Sequence, residues 1–318
     1  MDESRKISLR ESEGSSASVA SSKKNKQSAA DVKTDRLPVS KTYKIYIGGK
    51  FPRTESGRYY PLHDKQGGVI ANMCRSSRKD FRDAVVAARS AFGTWPKASA
   101  YLRGQILYRI GEMLEGRKEQ FHAELMAQGA SKARAQSEVA ASIDRLIYYA
   151  GWADKYQQIF SAVNPVSSSH FNFSLLEPMG VVSIMAPENH SLLGIVSNIA
   201  PAIVGGNTCA VLASESQPLC AISFAEVLHA SDVPPGVVNI LTGLREELTE
   251  QFASHMDVNA VIYCETGDDA KLIQELAANN IKRVISRADA NWANASSQGP
   301  YLIKDTQETK TTWHPIGT

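Results

Sequence analysis

The sequence lacks a marked excess of charge of either sign and any regular spacing of metal-binding side chains. Its 35 lysines and arginines face 33 aspartates and glutamates, a formal net charge of +2. No field of the whole chain would therefore attract nucleic acid or an anionic membrane. Its seven histidines form neither an HxxxH nor an HExxH pattern, so no metal site is predicted. We expect no nucleic-acid, membrane or metal partner.

Long apolar runs and paired cysteines are missing as well. No stretch resembles a secretory h-region or a membrane span. The cysteines lie in apolar surroundings without CxxC spacing, at Cys74, Cys209, Cys220 and Cys264. A mitochondrial presequence would be poor in acids, whereas acidic residues crowd the start of this chain, at Asp2, Glu3, Glu11 and Glu13. These patterns favour a cytoplasmic protein.

Apart from a polar segment at its start, the chain has the composition of an ordinary globular protein. A chain of 318 residues with 43% hydrophobic content can bury a large core in one or two domains. Residues 1–42 differ, because they are rich in serine, lysine and acids and almost free of aromatics. Such a segment cannot bury enough apolar surface to offset its loss of conformational entropy. We predict a disordered tail over residues 1–42.

Helical periodicity dominates the part of the chain that follows the tail. KIYIGGKF, with its pair Gly48 and Gly49, predicts a strand and a tight hairpin. Apolar residues then recur at helical spacing from Asp80 to Phe92 and again in later stretches. We therefore predict a mainly helical part over residues 43–160. Residues 161–177 alternate like strands.

Beyond Pro178, short apolar runs alternate with helical patterns. GVVSIMA, TCAVLA, GVVNILT, NAVIYCE and RVIS are spaced as in βαβ units. Their β-branched content and flanking glycine and proline favour central parallel strands over buried helices. The pattern over residues 178–297 thus predicts an α/β fold with a doubly wound parallel sheet of the Rossmann type.

A parallel sheet of this kind predicts a ligand crevice beyond the carboxyl ends of its strands. The segments expected there are APENH, SES, TGLREE and CETGDDA, which begin at residues 186, 214, 242 and 264. A glutamate such as Glu215 at this edge is able to accept hydrogen bonds from a ribose. Taken alone, the SES segment is better explained as a solvated loop that merely ends a strand.

Several of these segments together resemble the aldehyde dehydrogenase superfamily. YYAGWADK, LLEPMGVVSIMAPEN, IAPAIVGGNT, VPPGVVNILTG and SHMDVNAVIYCETGDDAKLIQE occur in the family's order and spacing, from about Lys44 to Val284. DTQETKTTWH is similar to the family's C-terminal oligomerisation strand. The resemblance implies a cofactor domain with N-terminal helices, an oligomerisation hairpin over residues 161–177 and an oligomerisation strand within residues 298–318.

The resemblance also implies that the catalytic domain is missing. Family members have that domain, with its nucleophilic cysteine, between the two matched regions. Here only a short stretch remains, and no cysteine follows Cys264. Asn189 matches the asparagine of the family's oxyanion hole and is only a vestige without the nucleophile, better explained as a polar loop residue bonded to backbone. Arg287 stands at the position of the general base, and arginine cannot accept a proton in a protein.

The cofactor positions that the resemblance implies are only partly retained, and they are Ala186, Pro187, Asn189, Ser214, Glu215, Thr266 and Gly267. Glu215 matches the acid that holds the adenosine ribose, but the family's preceding lysine is replaced, at Ala213 or Ser214. Glu265 and Asp268 place negative charge where a diphosphate would meet a helix N-terminus. We expect NAD binding to be weak or lost.

Three functional hypotheses follow. The favoured one is a pseudoenzyme, an inactive partner or regulator that forms a homo-oligomer or a hetero-oligomer with a full-length aldehyde dehydrogenase. Loss of a base costs about 10²- to 10⁴-fold in rate, whereas loss of the nucleophile removes the covalent route itself. The alternatives are an NAD(P)-binding oxidoreductase with weak or residual activity on aldehydes, and an enzyme that has recruited Cys264, whose acidic neighbour Glu265 disfavours a thiolate.

The pattern of the C-terminal segment predicts that this chain assembles with another chain. In QETKTTWH, Thr309, Thr311 and Trp313 alternate with more polar residues, which predicts a strand with one buried face. An unpaired strand would offer its backbone donors and acceptors to another chain. A frayed tail is the alternative, but the large apolar surface of Trp313 favours burial.

Overall fold

The computed structural model describes residues 39–264 and 266–317. The predicted disordered tail lies outside the described residues up to residue 38, and so does Glu265 with its expected effects on a diphosphate and on Cys264. The first strand of the described residues, Thr42–Tyr43, begins at the last residue of the predicted tail. Ser40–Thr318 forms one unit of the chain.

Ten α-helices occur in the described residues. Their boundaries are α1 (Arg78–Phe92), α2 (Ala100–Gly116), α3 (Lys118–Ala127), α4 (Lys132–Ala150), α5 (Tyr156–Phe160), α6 (Ser191–Val204), α7 (Leu219–His229), α8 (Arg245–Ser254), α9 (Gly267–Ala277) and α10 (Tyr301–Lys304). Local sequence fixes several of these ends. At the start of α1, for example, the Ser77 backbone N–H donates to the Asp80 carboxylate at 2.7 Å, which closes a capping box.

The strands of the described residues form three sheets. Their boundaries are β1 (Thr42–Tyr43), β2 (Tyr59–His63), β3 (Val69–Cys74), β4 (Ala162–Asn164), β5 (His170–Pro178), β6 (Val181–Met185), β7 (Thr208–Leu212), β8 (Val238–Leu241), β9 (Ala260–Tyr263), β10 (Arg283–Ser286) and β11 (Gln307–Pro315). In the first sheet, β3 lies between β1 and β2.

The predicted hairpin at Gly48 and Gly49 is a tight turn between isolated bridges instead of a pair of regular strands. Both glycines have positive φ, 59° and 75°, a conformation that costs glycine little. Ile47 and Lys50 exchange both backbone hydrogen bonds at 3.0 Å. Beyond them, only Tyr46 continues the pairing, through an antiparallel bridge to Ile240.

The central sheet is parallel throughout, with the strand order β10-β9-β6-β7-β8. Every residue of β6 and β7 is buried, as expected when helices cover both faces of a sheet. Along β6, Val182 and Ile184 join the core that includes α6 and α7, whereas Val181 and Met185 join the core that includes α1 and α8. The predicted α/β fold with a doubly wound parallel sheet is confirmed.

The third sheet is antiparallel and consists of β4, β5 and β11. β11 pairs with β5 along its whole length, from Gln307 opposite Pro178 to Pro315 opposite His170. The segment is therefore not a frayed tail. The expected burial of one face is wrong for the single chain, because every β11 residue after Gln307 is exposed and Trp313 is 58% exposed.

No helix in the described parts of the chain combines the length and the apolar character that a membrane crossing would require.

The core between α1 and α8 gives a direct test of the packing. Phe81 stacks on Phe252 with ring centroids 4.0 Å apart, and both side chains are buried. We predict that Phe81→Ala lowers the free energy of unfolding by about 3–5 kcal/mol, because it removes buried apolar surface and leaves a cavity. Val86→Ala, on the exposed side of the same helix, should change it by about 0.5 kcal/mol or less. Urea unfolding followed by circular dichroism measures both values, and equal losses would contradict the packing.

Candidate functional site

The crevice lies at the carboxyl ends of β6, β7, β9 and β10, where the sequence places its polar segments. One cavity of about 410 Å³ is lined by residues that include Asn189, Cys264 and Arg287. A second cavity of about 520 Å³ lies between β2 and the loops after β6 and β7, and its lining includes Glu188 and Glu215. The structure thus brings most of the predicted site residues to one edge of the sheet.

Asn189 and Cys264 share the first cavity. Asn189 is exposed, and no side-chain hydrogen bond joins it to another residue in the described ranges, so the expected bond to backbone is not formed. Cys264 is half-buried, and the Asn198 amide donates to its Sγ at 3.9 Å. Cys264 therefore lies in the wall of the first cavity.

Arg287, at the position of the expected base, is held in an ion pair. Its guanidinium donates to the Asp305 carboxylate at 2.5 Å. Its backbone N–H donates to the Tyr263 carbonyl at 2.8 Å, which extends the pairing of β10 with β9. A guanidinium fixed in this way supplies positive charge to the cavity and no group that could take a proton from water.

Glu188 is the centre of the second cavity's hydrogen bonds. Its carboxylate accepts from Ser214 Oγ at 2.9 Å, from the Glu215 backbone N–H at 2.8 Å and from the Ser216 backbone N–H at 3.0 Å. It also accepts from Ser216 Oγ at 2.5 Å and from Arg245 Nε at 2.6 Å. The side chain therefore joins the loop after β6 to the loop after β7 and to the start of α8.

Arg245, at the start of α8, contacts the loop after β6 at two points. Besides Glu188, its guanidinium donates to the carbonyl of Ala186, at the end of β6. Ala186 and the following Pro187 are buried. The predicted cofactor positions at the end of β6 are thus covered by a protein side chain that the sequence reasoning missed. The only signal for it was the TGLREE segment, which the strand pattern places at this edge.

Glu215 is also engaged within the chain. Its carboxylate accepts from the Arg245 backbone N–H at 2.8 Å, at the first residue of α8, where a negative charge stabilises the helix. Its carbonyl accepts from the Tyr60 hydroxyl at 3.4 Å. Ser214 is 1% exposed. Neither side chain projects without a partner into the cavity.

The pKa of Glu188 reflects this setting. Burial alone would raise the pKa of its carboxyl above the ordinary value of 4.5, but the Arg245 charge and the hydrogen bonds from Ser216 and the Glu215 backbone lower it to about 2. Glu188 is therefore ionised throughout the physiological pH range.

The N-terminus of α6 holds a second internal carboxylate. Glu138, which is 3% exposed, accepts from the backbone N–H groups of Leu192 at 3.0 Å and Leu193 at 3.3 Å. His190 precedes this helix with φ 57°, and its Nδ1 lies 3.5 Å from the Glu138 carboxylate. Sequence reasoning missed Glu138, because it lies far from the crevice segments in the chain.

The N-terminus of α9 differs, because no side-chain hydrogen bond from the described residues caps it. Thr266 precedes the helix in an extended conformation, and Gly267 has φ 68°. A Cβ at Gly267 would meet no atom of the described residues within 4 Å. Asp268 and Asp269 lie exposed in the first turn, and their charges oppose the approach of a diphosphate to the helix end.

A short linker from β10 to α10 covers the first cavity. Arg145, on α4, is 3% exposed and donates to the carbonyls of Trp292 at 3.2 Å and Asn294 at 3.4 Å. It also donates to Ser197 Oγ at 2.6 Å and to Gln298 Oε1 at 3.4 Å. Burial lowers the pKa of Arg145. These bonds fasten the linker to α4 and α6.

No cluster of three or more histidine, cysteine, aspartate or glutamate side chains suited to a metal ion occurs in the parts of the chain that the structure describes.

The depressed pKa of Glu188 gives a prediction for stability. A carboxyl whose folded pKa is about 2 and whose ordinary value is 4.5 stabilises the fold above pH 4.5, and this contribution is lost as the pH falls from 4.5 toward 2. Glu188→Gln removes it at every pH. We predict that wild type exceeds the variant in stability above pH 5 and that the difference shrinks below pH 4.5, as measured by urea unfolding at several pH values. A difference that is constant from pH 6 to pH 3 would contradict this.

Comparison with known families gives a clear match. The family model described as aldehyde dehydrogenase family matches residues 53–294. Among curated relatives, the mitochondrial aldehyde dehydrogenase family 2 member B4 of Arabidopsis thaliana is 35% identical over 263 residues, which cover 80% of this chain and 48% of that protein. Retinal dehydrogenase 2 of Gallus gallus is 34% identical over 249 residues, which cover 76% of this chain and 47% of the relative.

Solved structures give the same result. The NAD+ complex of aldehyde dehydrogenase from Bacillus cereus superposes with a TM-score of 0.74 at 27% identity, and the match covers 77% of this chain and 50% of that one. PnpE from Pseudomonas sp. WBC-3 superposes with the same TM-score at 26% identity. The chain spans about half the length of the curated relatives it matches.

Proposed function

This chain belongs to the aldehyde dehydrogenase family, and we propose that it is a catalytically inactive partner or regulator of an active aldehyde dehydrogenase. The observation that carries the proposal is Arg287. It stands at the position of the general base, its guanidinium is bound to Asp305, and only residues 287–306 separate β10 from β11. A catalytic domain has no room in that interval.

The chemistry of aldehyde oxidation supports this proposal. A covalent route needs a nucleophile that adds to the carbonyl carbon, a hydride acceptor and a base that activates water for release of the acid. Asn189 could stabilise only the oxyanion that forms once a nucleophile has added to the carbonyl carbon. Arg287 offers no lone pair to water. Recruitment of Cys264 would supply a thiol but would leave the base position filled by a cation.

We further propose that NAD binding is weak or lost. Glu215, the expected ribose ligand, is bonded to the N-terminus of α8. Asp268 and Asp269 add negative charge at the start of α9. The alternative, an NAD(P)-binding oxidoreductase with weak or residual activity, is favoured by the open space at Gly267 and by the likeness to a structure solved as an NAD+ complex.

The proposed partner surface is the sheet of β4, β5 and β11. Large apolar side chains are exposed on it, at Val163, Phe171, Leu175 and Trp313. The strand register places Val163, Phe171 and Leu175 on one face of the sheet and Trp313 on the other. Exposed apolar side chains of this size support an interaction site, and an exposed strand edge offers its backbone to another chain. We propose that the sheet joins this chain to a second copy or to a full-length aldehyde dehydrogenase.

A cytoplasmic location is also a proposal. It rests on the pattern of the cysteines, and a relative named as mitochondrial matches the chain as well.

The first test is catalytic. We predict that the purified chain shows no NAD-dependent oxidation of short aliphatic or aromatic aldehydes, because neither the nucleophile nor the base is present. Formation of NADH, followed by its absorbance, measures this. Cys264→Ala is the matched control, and it should be indistinguishable from wild type. Turnover by wild type above that of the control would contradict inactivity and would support recruitment of Cys264.

The second test concerns assembly. We predict that Trp313→Ser weakens association with a second copy or with a full-length aldehyde dehydrogenase by roughly 30-fold or more, because an interface tryptophan typically contributes about 2 kcal/mol or more. Tyr101→Ser, at an aromatic side chain on α2 that is even more exposed, should leave association unchanged. Light scattering of each chain, alone and mixed with the active relative, reports the assembled mass. A wild-type chain that is monomeric in both conditions would refute the proposed partner role.

A further inference from the structure

We propose that the donors around Glu188 form an oxyanion-binding site which Glu188 itself occupies, and that the ligand able to replace it is a small phosphate monoester. The inference rests on the proposed loss of ordinary NAD binding and assigns a cause to it. The crevice is closed by a carboxylate of the chain that acts as an internal ligand.

The geometry of the donors is that of an anion site. Two backbone N–H groups, at Glu215 and Ser216, converge on the Glu188 carboxylate at 2.8 and 3.0 Å. Two hydroxyls, of Ser214 and Ser216, and the Arg245 guanidinium complete the set. Backbone amides, hydroxyls and an arginine are the groups that recognise phosphate in proteins. Nothing in this set is specific for a carboxylate of the same chain.

The surroundings of the site fit a ligand that is larger than a bare anion. The adjoining cavity of about 520 Å³ is bounded on the β2 side by Tyr60, Pro61 and Leu62. These side chains provide an aromatic ring and an apolar wall, on which a flat organic group can lie. The wall therefore favours a phosphate carried by a nucleoside-like molecule over inorganic phosphate alone.

Glu188 excludes such a ligand by competition. It enters the site from the neighbouring loop of the same chain, so it acts at an effective concentration on the order of millimolar or more. It is ionised at neutral pH, since its pKa lies at about 2. An external phosphate must displace it and must also enter beside the displaced charge. Removal of the Glu188 carboxylate should therefore expose the donors and turn Arg245 toward an incoming anion.

The test uses the full chain and AMP, inorganic phosphate and adenosine as probes at constant ionic strength. In Glu188→Ala, we expect AMP and phosphate to raise the melting temperature in a saturable way, with half-saturation by AMP at a concentration at least tenfold lower than in wild type. Adenosine, which lacks the oxyanion, should have no effect. Titration calorimetry with AMP gives the same comparison without heating.

Glu247→Ala is the matched control. Glu247 is also a carboxylate bound by arginines, Arg75 at 2.6 Å and Arg58 at 3.3 Å, but it lies outside the donor set. Its removal should leave the response to AMP at the wild-type level. Replacement of Arg245 by methionine in the Glu188→Ala background should abolish the gain, because the site then loses its only cationic donor of those described above.

Several results would overturn the proposal. The first is a folded Glu188→Ala variant whose melting temperature responds to AMP no more than that of wild type. The second is a response to adenosine equal to the response to AMP. The third is an equal increase in the response to AMP in Glu247→Ala. If Glu188→Ala does not fold, Glu188→Gln replaces it, since a neutral amide holds the site less tightly and AMP should still bind more strongly than to wild type. No gain in either variant refutes the site. Aldehyde oxidation is measured separately, so activity would contradict the proposed function and leave this result unaffected.

Discussion

The parallel pairing of β6 with β7 and β9 is the constraint on which the rest of the structure depends. Because the three strands run in the same direction, the loops that follow them must meet at one edge of the sheet. Helices cover both faces, so that edge is the place where polar groups can gather without being buried in an apolar core. Glu188, Ser214 and Cys264 come together there for this reason alone.

The carboxylates of Glu188, Glu215 and Glu138 are hydrogen-bonded to groups of the same chain. Glu188 binds the donors of the next loop and of Arg245, Glu215 caps α8, and Glu138 caps α6. In each case a carboxylate of the chain takes a position at which helix ends and loop amides favour an anion. A crevice built in this way is stable without a ligand.

The antiparallel sheet presents the opposite situation, with surfaces that the chain leaves uncovered. β11 is paired along its whole length with β5, yet Trp313 and Phe171 remain exposed. The two side chains lie on opposite faces of the sheet, and a partner chain that covers either of them would remove its apolar surface from water. Both features support the proposed role of an inactive partner, in which surfaces for assembly are kept and groups for catalysis are replaced.

The sequence by itself determined the fold class, because the period of its apolar residues and the order of its family segments depend only on neighbours along the chain. The strands of the parallel sheet and the helices before them followed from it, whereas the pairing of β11 with β5 of the same chain did not. The sequence did not predict the contact of Glu188 with Arg245, which lies 57 residues away in the chain. Nor did it predict the hydrogen bond from Arg145 to the carbonyl of Trp292, which lies 147 residues away. It also led to the wrong expectation of a buried face on β11. Such contacts depend on which strands are neighbours and on which surfaces lack a covering element, and only the tertiary structure decides both.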